Sequence, residues 1–291
     1  MHSLSLHSHY PAKLLLFGEY AIVKGGSALA IPYRNFWGRW QFGKNITKRK
    51  EWLKDLPDFV TYLENLHFEG KLLSQIDVDK VRYEVEQGLC FASNIPQGYG
   101  AGSSGAFCAG IYDRFASNKA DQSQMDILQA QLAQLESFFH GSSSGMDPLV
   151  CFLLQGLLSE QGSLKPLATF PALEASKLFL LDSGRSRQTG PLVELFLERC
   201  EDPDYSRRLE AELMPLNEEA IQSYLNGQTD LLFDTIHQIS HFQWKYFSEM
   251  IPREMKDLWL KGLSSDRFKL KLCGAGGGGF ILGIGERPAE I

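Results

Sequence analysis

The stretch PQGYGAGSSGA, residues 96–106, is rich in glycine and serine and leads directly into the apolar run FCAGIYDRF. Glycine adopts positive φ angles readily and leaves backbone N–H groups uncovered, so a loop of this composition can surround an anion. If a helix begins at about Ser103, its first N–H groups and the positive end of its dipole point at the same place. The stretch therefore predicts a phosphate site built of backbone, and a flexible surface turn is the alternative that it leaves open.

Length and composition narrow the class of protein. The 291 residues suffice for one large or two ordinary domains, and the hydrophobic fraction of 44% and charged fraction of 22% are typical of a globular chain. The net charge of −6 argues against a nucleic-acid binder, whose phosphate contacts need a basic surface. No apolar run approaches the roughly 18 residues that a membrane-spanning helix needs.

The cysteines and the N-terminus indicate the cellular compartment of the protein. The five cysteines are an odd number, scattered and without a C-x-x-C pair, which indicates reduced core residues rather than disulfides or a zinc site. The N-terminus, MHSLSLHSHYPAK, lacks the basic start and long apolar stretch of a signal peptide. We therefore expect a cytoplasmic protein.

Hydrophobic periodicity predicts a mixture of helices and strands along the chain. Strands are predicted at 13–17, 36–42, 81–85, 149–154, 177–184, 268–274 and 280–285, with a hairpin over 20–31. Helices are predicted at 56–73, from about 103, and at 124–140, 190–202, 206–225, 229–249 and 253–262. Residues 155–172 have the composition of a hairpin and linker, so a second unit is expected to begin after them.

Two charged residues stand beside apolar segments. Lys13 directly precedes the apolar strand, where it is either held inward or solvated along its stem. Glu136 projects from nearly the same face of the 124–140 helix as the apolar stripe. An inward carboxylate is costly unless it is paired or bound to a cation, and the alternative is that Glu136 bends out to water at the helix end.

Two further stretches could carry chemistry. In HGSSSGMDP, residues 140–148, Asp147 stands just before a proline, where it either bonds to nearby backbone N–H groups in a turn or acts as a catalytic base. In KLCGAGGGGF, residues 271–280, the glycines form a tight hairpin or allow the backbone to approach a ligand closely.

Three of these stretches, in this order, resemble the motifs of the GHMP kinases. PAKLLLFGEYAIVKGGSALA (11–30) is similar to the first motif, PQGYGAGSSGA to the phosphate loop P-x-G-x-G-L-G-S-S-A-A, and KLCGAGGGGF to K-L-T-G-A-G-G-G-G-C. HGSSSGMDP resembles the H-G-x-P-S-G-x-D segment of the mevalonate kinases within that family. The chain departs from the motifs at several positions: Ala101 replaces leucine, Gly105 alanine, Cys273 threonine, Ser143 proline, and Tyr20 the histidine of mevalonate kinases.

The resemblance implies a role for each matching residue. Asp147 would be the catalytic aspartate and Lys13 its partner, while Ser104 and Glu136 would hold Mg²⁺. The residues implied for ATP and phosphate binding are Pro96, Gly98, Tyr99, Gly100, Ala101, Gly102, Ser103, Ser104 and Gly105. The residues implied for substrate binding are Glu19, Tyr20, His140, Ser144, Gly274, Ala275, Gly276 and Gly277.

The fold implied by the resemblance is the α+β, two-domain GHMP kinase fold. Its N-terminal domain is ribosomal-protein-S5-domain-2-like and binds ATP, and its C-terminal domain is ferredoxin-like. The resemblance places the active site in the cleft between them. We expect the domains to cover residues 1–168 and 169–291.

The activity implied is transfer of the γ-phosphoryl group of ATP to an alcohol, with Mg²⁺ as cofactor and mevalonate as the leading acceptor. The expected partners are thus ATP and a small alcohol, without nucleic acid or membrane, and a homodimer is one option for the assembly. The alternatives are phosphomevalonate, a sugar, and a ligand-binding regulator without catalysis; the related diphosphomevalonate decarboxylases lack the H-G-x-x-S-G-x-D segment. Arg185 and Arg187 are either solvated loop charges or contacts for a phosphorylated acceptor.

Overall fold

The computed structural model describes residues 8–43, 52–187 and 189–289. The strands in these ranges are β1 (Tyr10–Phe17), β2 (Ala28–Phe42), β3 (Leu89–Ser93), β4 (Gly156–Glu160), β5 (Ser163–Leu167), β6 (Leu178–Asp182), β7 (Phe268–Leu272) and β8 (Phe280–Gly285). The α-helices are α1 (Trp52–Phe68), α2 (Val78–Glu86), α3 (Ser103–Phe115), α4 (Met125–His140), α5 (Met146–Leu153), α6 (Thr189–Arg199), α7 (Pro203–Arg208), α8 (Met214–Leu225), α9 (Thr229–Tyr246) and α10 (Lys256–Ser264). Strands that pair antiparallel alternate with helices, which confirms the α+β class.

The contacts divide the chain into two compact units. Unit 1 consists of residues 1–13, 32–96 and 102–155, and unit 2 of residues 14–31, 97–101 and 156–291. The boundary expected between residues 168 and 169 stays a prediction.

Unit 1 is built around α3, which packs against α4 and α5. Nearly every side chain of α3 is buried, because the helix carries apolar or small residues on all its faces. The second half of β2 pairs antiparallel with β3, from Gly38 opposite Ser93 to Phe42 opposite Leu89. Rings from these elements and from α1 meet around Phe107, which fixes the position of α3.

Unit 2 contains an antiparallel sheet in the order β6–β8–β7. Helix α9 packs on β7 and also on α8, so that helices cover one face of this sheet. The buried rings include Trp259, Tyr224 and Phe247. Strands β4 and β5 form a hairpin in the same unit, and β4 pairs with residues 28–30 of β2.

Several of the predicted elements are present where the periodicity placed them. Helix α3 begins at Ser103, and α4 covers 125–140 of the predicted 124–140. The two strands that flank the last glycine cluster also form, as β7 and β8. Within the described residues no helix combines the length and the apolarity needed to cross a membrane.

Three predicted strands are wrong. Residues 81–85 lie in α2, because Val78 and Val81 recur at helical spacing and Asp77 caps the helix by accepting from the Lys80 N–H. The run 149–154 belongs to α5, since a short apolar run buried on all sides has no periodicity that separates helix from strand. Residues 20–23 form a turn and the start of a 3₁₀ helix (Ile22–Lys24) instead of the first strand of a hairpin.

Candidate active site

The glycine-rich loop adopts a backbone that only glycine accepts easily. Gly98, Gly100 and Gly102 have φ angles of 70°, 67° and 71°, and they alternate with Tyr99 and Ala101. Such alternation turns successive N–H groups toward one side of the backbone, as in anion-binding nests. Helix α3 follows at once, and an α-helix leaves its first N–H groups without acceptors in the helix. The backbone of this loop thus has the conformation of an anion-binding nest, and its role in phosphate binding stays a prediction.

Lys13 and Asp147 form an ion pair within unit 1. The ammonium of Lys13 lies 2.7 Å from Oδ1 of Asp147. Lys13 is 7% exposed, so the solvated alternative for this residue is wrong. Asp147 lies in the first turn of α5, where Gly145 with its positive φ caps the helix and Pro148 fits because an N–H is not needed there.

Glu136 points inward from α4 and is 4% exposed, so the alternative in which it bends out to water is wrong. Its Oε1 accepts a hydrogen bond from Ser104 Oγ at 3.0 Å, and its Oε2 accepts one from Ser143 Oγ at 2.6 Å. Ser104 Oγ is also 3.1 Å from Nε2 of His140. Burial, and next the charge of Asp147, raise the pKa of Glu136 to about 7, although both serine hydrogen bonds act in the opposite direction.

These side chains could hold a divalent cation. The Ser104 hydroxyl and the Glu136 carboxylate are both oxygen donors, and Mg²⁺ prefers oxygen ligands. Mg²⁺ keeps several waters and phosphate oxygens, so it needs few protein groups. In the part of the chain that the structure describes, no cluster of three or more His, Cys, Asp and Glu side chains is arranged to hold a metal. A site of two protein oxygens suits Mg²⁺ bound to a nucleotide.

The first and third motifs are joined inside unit 2 by buried polar contacts. Lys271 is fully buried, and its ammonium donates to Glu19 Oε1 at 2.5 Å and to the carbonyl oxygens of Leu16 and Leu272 at 2.7 Å. The Tyr20 hydroxyl donates to the carbonyl oxygen of Ala275 at 2.6 Å. These bonds fix residues 274–277 relative to Glu19 and Tyr20, the predicted substrate-binding residues of the first motif.

Contacts hold Tyr20 in a strained backbone conformation. Its φ is 61°, a conformation that costs a non-glycine residue free energy. Its ring packs against Phe196 and Phe247, with centroids 4.6 and 5.0 Å away. Burial raises the pKa of its hydroxyl, which therefore stays protonated as a donor.

Arg187 is the cation that approaches the glycine motifs of unit 2. Its Nη1 donates to the carbonyl oxygen of Cys273 at 3.2 Å. A Cβ added to Gly100 would lie 1.7 Å from Nη2, and one added to Gly274 would lie 2.5 Å from it, so both glycines make room for the guanidinium. The interpretation of Arg187 as a solvated charge is therefore wrong, whereas Arg185 is exposed and pairs with Glu254.

Sequence reasoning missed Lys271 and Ser143. A signal for Lys271 was present, because a lysine between Leu270 and Leu272 in a buried strand needs an internal partner. For Ser143 no sequence signal existed, since its hydrogen bond to Glu136 forms only when α4 and the following turn fold together. Ser144 and His140 are exposed, and Gln129 Nε2 donates to the carbonyl oxygen of Ser144.

Substitution of Gly105 should displace Asp147. An added Cβ would lie 2.9 Å from the carbonyl carbon of Asp147 and the nitrogen of Pro148, and neither backbone atom can rotate away. We expect Gly105→Ala to lower kcat by about 10²-fold, the effect of a displacement of about 1 Å. Gly190→Ala, at a site with nothing within 4 Å, is the matched control in a steady-state assay. Equal kcat values for the two variants would contradict this prediction.

The raised pKa of Glu136 predicts a pH dependence of stability. The folded state holds the Glu136 proton more tightly than the unfolded state, whose pKa is about 4.5, so protonation favours folding. Its contribution is fully present below pH 4.5 and is lost as the pH rises through about 7, which amounts to about 3 kcal/mol. Urea unfolding at pH 5 and pH 7.5 should therefore show a smaller decline for Glu136→Gln than for the wild type. Parallel declines would refute the assignment.

Comparison with known families and proteins agrees with the motifs. Residues 68–156 match the family described as "GHMP kinases N terminal domain". The curated mevalonate kinase of Pyrococcus horikoshii is 28% identical over 311 aligned positions, which cover 97% of this chain and 89% of that protein.

Solved structures show the same fold at lower identity. The L. major mevalonate kinase in complex with R-mevalonate matches with a TM-score of 0.65 at 15% identity, over 96% of this chain and 87% of that one. The Streptococcus pneumoniae phosphomevalonate kinase in complex with phosphomevalonate and AMPPNP matches with a TM-score of 0.60 at 14% identity, over 95% and 91%. The predicted two-domain α+β fold is therefore confirmed.

Proposed function

We propose that this chain is a GHMP kinase, an ATP-dependent enzyme that phosphorylates mevalonate to 5-phosphomevalonate, on the premise of the family match over residues 68–156 and of the relatives named mevalonate kinase. The observation that carries the proposal is the arrangement in unit 1. The Lys13–Asp147 ion pair and the buried Glu136–Ser104 pair are held on elements that pack around α3.

The chemistry requires positioning and charge neutralisation rather than covalent catalysis. The acceptor hydroxyl oxygen forms a bond to the γ-phosphorus as the bond to the bridging oxygen breaks and ADP leaves. Asp147 accepts the hydroxyl proton, and the ammonium of Lys13 at 2.7 Å holds its carboxylate in place. When bound, Mg²⁺ neutralises charge on the phosphate oxygens, and Ser104 and Glu136 would hold it.

Residues of the first and third motifs, to which the resemblance gives a role in acceptor binding, are held together inside unit 2. Glu19 and Tyr20 are fixed by Lys271 and by the carbonyl oxygen of Ala275, which gives the glycine loop 274–277 a defined shape. The relatives named mevalonate kinase make mevalonate the first candidate for the acceptor.

One observation favours a second candidate, phosphomevalonate. The guanidinium of Arg187 lies beside Gly274, and a phosphorylated acceptor needs such a cation. Tyr20, in place of the histidine of mevalonate kinases, points in the same direction.

A coupled ADP-release assay tests the proposal with mevalonate, phosphomevalonate, galactose and homoserine as acceptors, at saturating ATP and Mg²⁺. We expect the highest kcat/KM with mevalonate. A higher kcat/KM with phosphomevalonate would show that the second candidate is the acceptor. In that case Arg187→Ala should raise the KM for phosphomevalonate more than Arg185→Ala does.

A function of another class would leave a different signature. A ligand-binding regulator would bind ATP without turnover of any acceptor in the panel.

The proposal also includes a cytoplasmic location, which the cysteines support: all five are described and none forms a disulfide.

A further inference from the structure

Ser143 occupies the turn between α4, which ends at His140, and α5, which begins at Met146. Its Oγ donates to Oε2 of Glu136 at 2.6 Å and accepts from the N–H of Gly145 at 2.9 Å. One hydroxyl therefore joins a carboxylate on α4 to the backbone that starts α5, the helix that presents Asp147.

The two oxygens of Glu136 have different donors. Ser104 Oγ donates to Oε1 at 3.0 Å, and Ser143 Oγ donates to Oε2. A carboxylate rotates easily about its last bond, so a donor on each oxygen fixes its plane. Because Glu136 is 4% exposed, solvent has little access to replace a donor that is removed.

The backbone of the turn is also held against α4. A Cβ added to Gly145 would lie 2.5 Å from the carbonyl oxygen of Gln129, so the turn lies directly on the helix. Ser143 thus has a fixed position from which to donate, and its bond to Glu136 does not depend on a mobile loop.

The hydroxyl is a feature of this chain. The segment that HGSSSGMDP resembles has proline at the position of Ser143, and proline has no group that can donate to a carboxylate.

We propose that Ser143 is a positioning residue, which orients the Glu136 carboxylate so that Oε1 and the Ser104 hydroxyl face a divalent cation together. The inference rests on the proposed function, in which Glu136 and Ser104 hold Mg²⁺. Loss of a group that orients a metal ligand typically weakens metal affinity by about 10–100-fold.

The test is the binding of Mn²⁺ to the protein with AMPPNP bound. Electron spin resonance measures the concentration of free Mn²⁺. Ser143→Ala should raise the Kd for Mn²⁺ by about 10-fold or more. Ser143→Thr, which keeps the hydroxyl, should stay close to the wild type. Ser142→Ala, at the exposed serine one residue earlier, is the matched control and should leave the Kd unchanged. If Ser143→Ala fails to fold, Ser143→Gly, which also lacks the hydroxyl, replaces it with the same expectation.

Glu136→Ala and thermal melting without metal separate the outcomes. If Glu136→Ala weakens Mn²⁺ binding and Ser143→Ala does not, the inference is overturned while the proposed metal site stands. If Ser143→Ala only lowers the Tm, the hydroxyl merely stabilises the turn and the inference is again overturned. If Glu136→Ala leaves the Kd unchanged, the metal assignment itself fails, and the role of Ser143 fails with it.

Discussion

Asp147→Asn should lower kcat by about 10²–10⁴-fold in steady-state assays with mevalonate and ATP, the range expected for loss of a general base. Asparagine keeps the size of the side chain and its place in the first turn of α5. It cannot accept a proton from the acceptor hydroxyl, and it leaves the Lys13 ammonium without its partner at 2.7 Å. The KM for ATP should change little, because the proposed function places Asp147 at the acceptor hydroxyl and not at the nucleotide.

The control for Asp147→Asn is its stability. Removal of the partner of a mostly buried lysine costs free energy, so urea unfolding should first establish that the variant is folded at the assay temperature. A folded Asp147→Asn with near-normal kcat would rule out the base assignment. Lys13→Met should also reduce kcat, since it removes the ion pair that positions the Asp147 carboxylate.

Lys271→Met should lower the free energy of unfolding by about 3–5 kcal/mol, the cost of leaving a buried charge without its partner. The ammonium of Lys271 donates hydrogen bonds to Glu19 and to two backbone carbonyl oxygens, and all three acceptors lose this donor in the variant. Burial already raises the pKa of Glu19, and Lys271 opposes this shift more strongly than the backbone hydrogen bonds from Glu19 and Gly274 do. Urea unfolding at pH 7 measures the effect.

Two further variants give this prediction its controls. Lys269→Met changes the other buried lysine of β7, which donates only to the carbonyl oxygen of Ser265 among the described contacts, so its cost should be smaller. Combining Lys271→Met with Glu19→Gln removes the buried charge and should recover part of the stability. If Lys271→Met costs no more than Lys269→Met, the buried ion pair does not anchor the third motif.

The motifs could be found in the sequence because each depends on residues close together in the chain. A glycine loop followed by a buried helix predicts a helix start, and Ser103 is indeed the first residue of α3. The inward position of Glu136 followed from its spacing to the apolar stripe of α4, although spacing alone could not exclude solvent at the helix end.

The missed features depend on contacts between distant residues. Lys271 and Glu19 are 252 positions apart, and Arg187 meets Cys273 across 86 positions, so no local pattern pairs them. The predictions for short segments were wrong for a different reason. Val81 and Val85 satisfy the period of a strand and that of a helix equally, and the cap at Asp77 decides between them.

Phosphorylation of mevalonate by this chain can be measured directly by ³¹P nuclear magnetic resonance of a reaction with mevalonate, ATP and Mg²⁺. We expect one new phosphomonoester resonance that grows in equal amount with ADP, and growth at least about 10²-fold slower with Asp147→Asn. Growth of inorganic phosphate alone, or a phosphomonoester formed equally fast by Asp147→Asn, would contradict this expectation.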